Sequence, residues 1–393
     1  MWGEAADEGR WRAIYAEVTP VSPELPHNSG IDRPRVGLVL GAGGVLGGAW
    51  LVGALHAIAS ESGWDPGSAD YIVGTSAGSM IGALVACGVP PWFMVAHSAG
   101  EELEGLADAR GEATAAADRS AGATFRLERS GFALGPGSWR LAVASLARPY
   151  RYSPMAVISG WLPRGLVSTE PLKDTLRRAC TGDWAPHPNY WPMALDYTTG
   201  RRVAFGRAGS PPAQLPDAVA ASCAIPGFYR AVEIDGRPYV DGGVYSTSNL
   251  DVLRDEQLDI VLALNPMSSL HVGSPRTVGE RVAFRMRQTA GRRLGSEAKR
   301  LRAAGVEVML IQPTVHDLDV MGGNLMSSRR RHEVIETAVR TVTEHLRETP
   351  LGTRLAELPA GDPRLIRRPD GPPSTWPDFR AAARDRWANL QAA

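Results

Sequence analysis

The chain has 393 residues, 44% hydrophobic and 21% charged, a balance that excludes a disordered, collagen-like or fibrous protein. Forty-two basic residues offset 42 acidic ones, so the basic excess of a general nucleic-acid binder is missing and no nucleic-acid partner is expected. No stretch reaches the roughly 18 apolar residues of a membrane-spanning helix, and residues 1–35 lack the apolar core of a signal peptide. A cytoplasmic protein is expected, able to touch a membrane from one side.

Residues 1–34 read as an extension, rich in turn formers (Pro20, Pro23, Pro26, Asn28, Gly30, Pro34). An apolar run over 35–40 has the profile of a buried parallel strand. Helical spacing follows over 49–60 (Trp50, Leu51, Ala54, Leu55, Ile58). A second buried strand is expected over 70–73 and a small apolar helix over 77–87. Strand, helix, strand, helix is the alternation of an α/β protein.

Residues 92–165 break this rhythm and read as a cap or lid insertion. They open with an Ala/Gly/Asp-rich stretch over 107–123. Two apolar clusters follow: Trp139, Leu141, Ala142, Leu146 and Tyr150, then Met155, Val157, Ile158, Trp161 and Leu162. They either face outward as a lid or complete the core. A helix over 169–180 carries Pro171 in its first turn, where proline is tolerated. Hairpins are expected over 192–205 and 232–240, the second around Asp235-Gly236. Between them, a helix over 215–224 stops at Pro226. Buried strands over 259–264 and 306–311 and a helix over 327–348 complete a domain spanning 35–348. The Pro- and Arg-rich tail, 349–393, shows no obvious core.

The three cysteines have no metal-ligand or disulfide-framework spacing. Cys87 and Cys223 sit among small apolar residues and read as buried reduced thiols; Cys180 ends a helix. Only two of the 42 basic residues, Lys173 and Lys299, are lysines, a bias we read as GC-rich bacterial coding.

Three segments carry chemistry. The first is Gly41-Ala-Gly-Gly-Val-Leu-Gly47, between a strand and a helix. Such a turn exposes backbone N–H groups that attract negative charge. A dinucleotide site would want glycine at Leu46 and an acid ending a second strand near position 61; Glu61 ends a helical stretch instead. The other reading is an oxyanion hole, with the Gly43 and Gly44 N–H groups aimed at an acyl oxygen.

The second segment is Gly74-Thr-Ser-Ala-Gly78, after a strand and before a helix. A nucleophile elbow needs small neighbours there so that Ser76 can be thrust out at the strand end. A tight packing turn is the plainer alternative. The third is Asp241-Gly-Gly243, directly after a strand; alone it is most simply an Asp-Gly turn. None of the eight histidines has a convincing catalytic context, although Ser76, Asp241 and His316 follow the α/β-hydrolase order. A Ser–Asp pair is chemically sufficient when the carboxylate reaches the hydroxyl.

Together these segments resemble the patatin-like phospholipase family. That family has a glycine-rich loop after its first strand, a Gly-x-Ser-x-Gly elbow about thirty residues later and a distant Asp-Gly-Gly/Ala. Ala221-Ser-Cys-Ala-Ile-Pro-Gly-Phe228 matches the family's Ala-Ser-x-Ala-x-Pro-x-Phe, and a hairpin leading to Asp241 follows it. The resemblance covers about 35–265. It implies a three-layer α/β fold around a mostly parallel sheet, and hydrolysis of lipid acyl esters without metal or cofactor. Ser76 would be the nucleophile and Asp241 its base. The N–H groups of Gly43 and Gly44, with Val45, would hold the oxyanion.

Leu46 stands where many family members carry Arg or Lys, which makes a neutral lipid or simple ester as credible as a phospholipid. Asn249 comes later after Asp241 than the family pattern suggests. A basic stretch over 276–302 is read first as a solvated helix face and second as an anionic-membrane contact. The tryptophans of 139–162 would suit a lipid interface equally. A non-catalytic acyl-binding protein and a His-dependent esterase are the competing functions.

Overall fold

The computed structural model describes residues 33–99, 136–147, 154–180, 182–269, 278–368 and 385. Eight strands among them form one sheet: β1 (Val36–Leu40), β2 (Tyr71–Thr75), β3 (Tyr190–Asp196), β4 (Arg202–Ala204), β5 (Val232–Ile234), β6 (Arg237–Asp241), β7 (Ile260–Leu264) and β8 (Glu307–Ile311). The order is β5-β6-β3-β2-β1-β7-β8, with β4 beside β3. Strands β3, β2, β1, β7 and β8 run parallel. The two expected hairpins supply the antiparallel part.

Both faces of the parallel part are covered, which is why its strands read as continuous apolar runs. Leu38, Leu40, Ile72, Ile260, Leu262 and Leu264 face one way. They pack under α1 (Gly44–Ser62), α2 (Ala77–Ala86) and α3 (Pro91–Ala99). The alternate residues Val39, Val73, Val261 and Ala263 face the other way, toward Leu294, Ala298 and Leu301 of a later helix, Val278–Ala303. The result is the expected three-layer α/β fold.

Helix α1 starts at Gly44, five residues before the expected start at 49. Gly44 to Gly48 therefore form its first turn, closed by Gly47 N–H to Gly43 O at 2.9 Å. Helical periodicity misses this turn because glycines carry no apolar signal. A late helix, Arg331–Glu348, crosses α1 at Gly53. A Cβ there would lie 2.5 Å from Ile335 O, so the close crossing requires glycine.

Two readings are corrected. Cys87, just past α2, and Cys180, just past α6, form a disulfide with Cα atoms 5.7 Å apart; by order, α4 is Trp139–Ala147, α5 Pro154–Trp161 and α6 Glu170–Ala179. Cys87 is therefore not a reduced thiol. The two helix ends meet although 93 residues separate them, a relation that no local pattern carries. Cys223 is the free, buried cysteine.

The second correction concerns the chain after residue 349. Short helices Pro350–Ala356 and Pro363–Ile366 bury Leu355, Leu358, Leu365 and Ile366. Trp92 Nε1 donates to Arg364 O at 3.0 Å. Residues 350–366 thus add to the core through these four side chains.

The insertion divides by face. Trp92, Phe93 and Met94 of α3 lie in the main core. Leu141 and Ala156, from α4 and α5, pack on Leu195, Tyr197 and Val240. Trp139, Val143, Met155, Ile158, Trp161 and Leu162 are exposed. Inward residues complete the core while outward ones remain on the surface. The stretch 107–123 and Tyr150 lie outside the described residues, as does the extension 1–32.

Candidate active site

Strand β2 ends at Thr75 and α2 begins at Ala77, so Ser76 occupies the turn between them. Its backbone is at φ 54°, ψ −123°, a region that costs a non-glycine residue about 1–3 kcal/mol. The surroundings hold it there. Ser76 N–H donates to Ser222 Oγ at 3.0 Å, and Ser222 Oγ donates to Met193 O at 2.6 Å. Ser76 O accepts from Ser79 Oγ at 2.6 Å and Cys223 Sγ at 3.2 Å.

The flanking glycines are required by space. A Cβ at Gly78 would lie 2.0 Å from Leu40 O, and one at Gly74 would lie 2.4 Å from Ser79 Cα. The elbow is pressed against β1, which is where the glycine loop begins.

Asp241 ends β6, paired to Ala194 of β3. Its N–H donates to Ala224 O at 3.0 Å. The Gly243 N–H donates to Asp241 Oδ1 at 2.7 Å. The Ser76 side chain faces the same carboxylate and draws its pKa down. Serine and aspartate, 165 positions apart in the sequence, are thus neighbours in the fold. Asp241 is only 4% exposed. Burial pushes its carboxyl up to about 6, against the opposing pull of the Ser76 and Gly243 hydrogen bonds.

The glycine loop lies beside this pair. Ala42 N–H donates to Thr247 O at 2.8 Å, tying the loop to the segment that follows Asp241. Gly41 and Leu46 N–H donate to Leu264 O and Leu325 O. Between them, Gly43 is the N-cap of α1, and Gly44 and Val45 are its first residues. Helical geometry provides no i−4 carbonyl for these three N–H groups, and they stand at the positive end of the helix dipole. Gly44 needs its glycine, with φ at 61°. A Cβ at Gly43 would lie 2.6 Å from Gly47 Cα. Leu46 is buried in the core.

His316 is exposed. Among the described residues, no histidine is hydrogen-bonded to Asp241 or Ser76. His187 is buried but engaged by Ala69 O and Asn189 N–H.

Two residues were missed as contributors. Ser222 stands in the sequence only as one position of the Ala-Ser-x-Ala motif, yet its hydroxyl accepts the Ser76 N–H. Asn249 stands out in the sequence only by its spacing, yet it is fully buried and hydrogen-bonded to Thr75. A short polar side chain inside a small apolar helix, Ala220-Ala-Ser-Cys223, was the available signal for the first.

This arrangement has a strained serine at a strand end, a buried carboxylate facing it and a helix N-terminus alongside. Chemically it suits acyl transfer. A family model for patatin-like phospholipase matches residues 38–254, a span that contains the loop, the elbow and Asp241. With more than half of its length matched, the chain belongs to the patatin-like phospholipase family, a family of lipid acyl hydrolases.

Proposed function

We propose that the protein hydrolyses lipid carboxylic esters through a Ser76–Asp241 dyad and an acyl-enzyme intermediate. The observation that carries this reading is the strained Ser76 elbow facing the buried Asp241 carboxylate. Ser76 Oγ attacks the ester carbonyl carbon while Asp241 accepts its proton. The oxyanion formed is held by the N–H groups of Gly43 and Gly44, with Val45 beside them. Collapse breaks the acyl–oxygen bond, and Asp241 returns the proton to the departing alcohol. Water then gives a proton to Asp241 and attacks the acyl-enzyme carbonyl. The second collapse releases the carboxylic acid and restores the Ser76 hydroxyl.

The buried Leu46 offers no cation to a phosphate. The substrate class is therefore an acyl ester of a phospholipid, a neutral lipid or a simple alcohol, with no phospholipase A assignment. Docking on a lipid surface is supported by the outward faces of α4 and α5. Of the nine large apolar side chains exposed among the described residues, seven lie between Trp139 and Leu166. Leu166 N–H donates to Phe228 O, and Asp241 N–H donates to Ala224 O in that same segment. The patch thus borders the elements that support Asp241.

The test is labelling by a fluorophosphonate ester, with Ser76→Ala and Asp241→Asn alongside. Labelling should require Ser76 and slow sharply without Asp241. Wild-type protein that stays unlabelled, even with vesicles present, would favour a non-catalytic acyl-binding role.

A further inference from the structure

The strand carrying Ser76 and the strand carrying Asp241 are not neighbours, since β3 lies between them. Something must hold the two ends in register beyond the sheet. Asn249 sits at that junction. It is fully buried and adopts the left-handed conformation, φ 52° and ψ 27°, which asparagine tolerates better than most residues. Its side-chain Nδ2 donates to Thr75 Oγ1 at 3.0 Å and to Ser246 O at 2.7 Å, and lies 3.5 Å from Gly242 O. Thr75 immediately precedes Ser76, and Gly242 immediately follows Asp241. One amide therefore touches the neighbour of each member of the pair.

The amide is itself held from several sides. Arg202 donates to Asn249 Oδ1 at 3.3 Å. Ser246 Oγ accepts the Asn249 N–H at 3.1 Å. The residues on either side of it are anchored on the buried Glu297. Ser248 Oγ donates to Glu297 Oε2 at 2.6 Å and Leu250 N–H does so at 3.0 Å, while Arg293 pairs with Oε1 at 3.1 Å. A buried polar network satisfied this fully is rigid, and a rigid support is what keeps two reacting groups in place.

We propose that Asn249 is a positioning residue that clasps the Ser76 turn to the Asp241 turn, through Thr75 and Gly242, and so keeps the serine hydroxyl on the carboxylate. The proposal rests on the dyad reading above. Asn249 touches neither substrate nor the reacting atoms; it acts through its neighbours.

The experiment compares full-length wild type with Asn249→Gly, Thr75→Val and the double variant. Glycine keeps the left-handed backbone and removes only the amide. Valine keeps the β-branched shape of Thr75 and removes its hydroxyl. Fluorophosphonate labelling rates, kcat and KM on a soluble ester, pH profiles and melting curves are measured. Asn249→Gly should lower the labelling rate and kcat by about 10- to 100-fold, the scale of a misplaced reacting group, with KM unchanged. Its acidic limb should move upward, because the Ser76 hydrogen bond is one of the contacts that hold the Asp241 pKa down. Thr75→Val should give a smaller loss, and the double variant should be no slower than Asn249→Gly, since both changes break one contact.

A folded Asn249→Gly protein with the wild-type rate and pH profile would overturn the proposal, as would losses that simply multiply. If Asn249→Gly does not fold, an unaltered rate in Thr75→Val overturns it. A wild type that does not label at all removes the dyad reading, and the clasp with it; a labelled wild type with indifferent variants removes the clasp alone.

Discussion

The Ser76 side chain faces the carboxylate of Asp241, a group that burial pushes up to about 6. Only the ionised carboxylate can accept the serine proton. The kcat/KM of the wild type on a soluble ester should therefore fall as pH drops through about 6, with one proton taken up. Stability should show the opposite trend. The folded carboxyl holds its proton more tightly than the unfolded one, which titrates near 3.8. Its contribution is favourable at low pH and is lost as pH rises from about 4 to about 6. Above that window the buried charge costs roughly 2–3 kcal/mol. Asp241→Asn should consequently melt higher than wild type at pH 8, and the gap should close near pH 4. A pH series of melting curves checks this; a gap independent of pH rules it out.

The outward faces of α4 and α5 give a second expectation. Trp139 is 58% exposed and Trp161 is 46% exposed, so replacing either with serine should leave the melting curve unchanged. Burying an aromatic side chain in an apolar medium is worth about 1.5–3 kcal/mol. The double replacement should thus weaken vesicle co-sedimentation by at least about tenfold. Hydrolysis of vesicle lipid should fall in parallel while a soluble ester is turned over as before. Unchanged co-sedimentation would remove this patch as the lipid contact.

The Cys87–Cys180 bond closes a loop of 93 residues, a length for which a disulfide contributes about 4 kcal/mol. Non-reducing peptide mapping should recover the two cysteines in one cross-linked species, with Cys223 alkylated only after unfolding. Reductant, or Cys87→Ser, should lower the melting temperature by several degrees or more. Disulfides persist in oxidising compartments, so mapping on protein taken directly from its native cells also reports where it resides.

Much of the architecture was legible because the covering layers leave a mark on composition. Strands buried on both faces, such as 36–40 and 260–264, can only be continuous apolar runs. The elbow was legible for a steric reason. Gly74 and Gly78 lie against backbone, so no side chain is permitted there. Asp241 was less distinct, since an Asp-Gly pair also makes an ordinary turn. The start of α1 was hidden in glycines that have no hydrophobic period. The inward packing of Leu355, Leu365 and Ile366 was hidden among polar neighbours.

By itself, the sequence determined the alternation of strands and helices, the strand-to-helix turn at Ser76 and the motifs that mark the family. These depend on periodicity and on local steric limits. Tertiary structure alone decided three other things. It brought Asp241 to face Ser76 across an intervening strand, joined Cys87 to Cys180, and set Asn249 between Thr75 and Gly242. Each is a contact between residues far apart in the chain. Such contacts are selected by how the whole sheet and its helices close around them, and a local pattern carries no record of that closure.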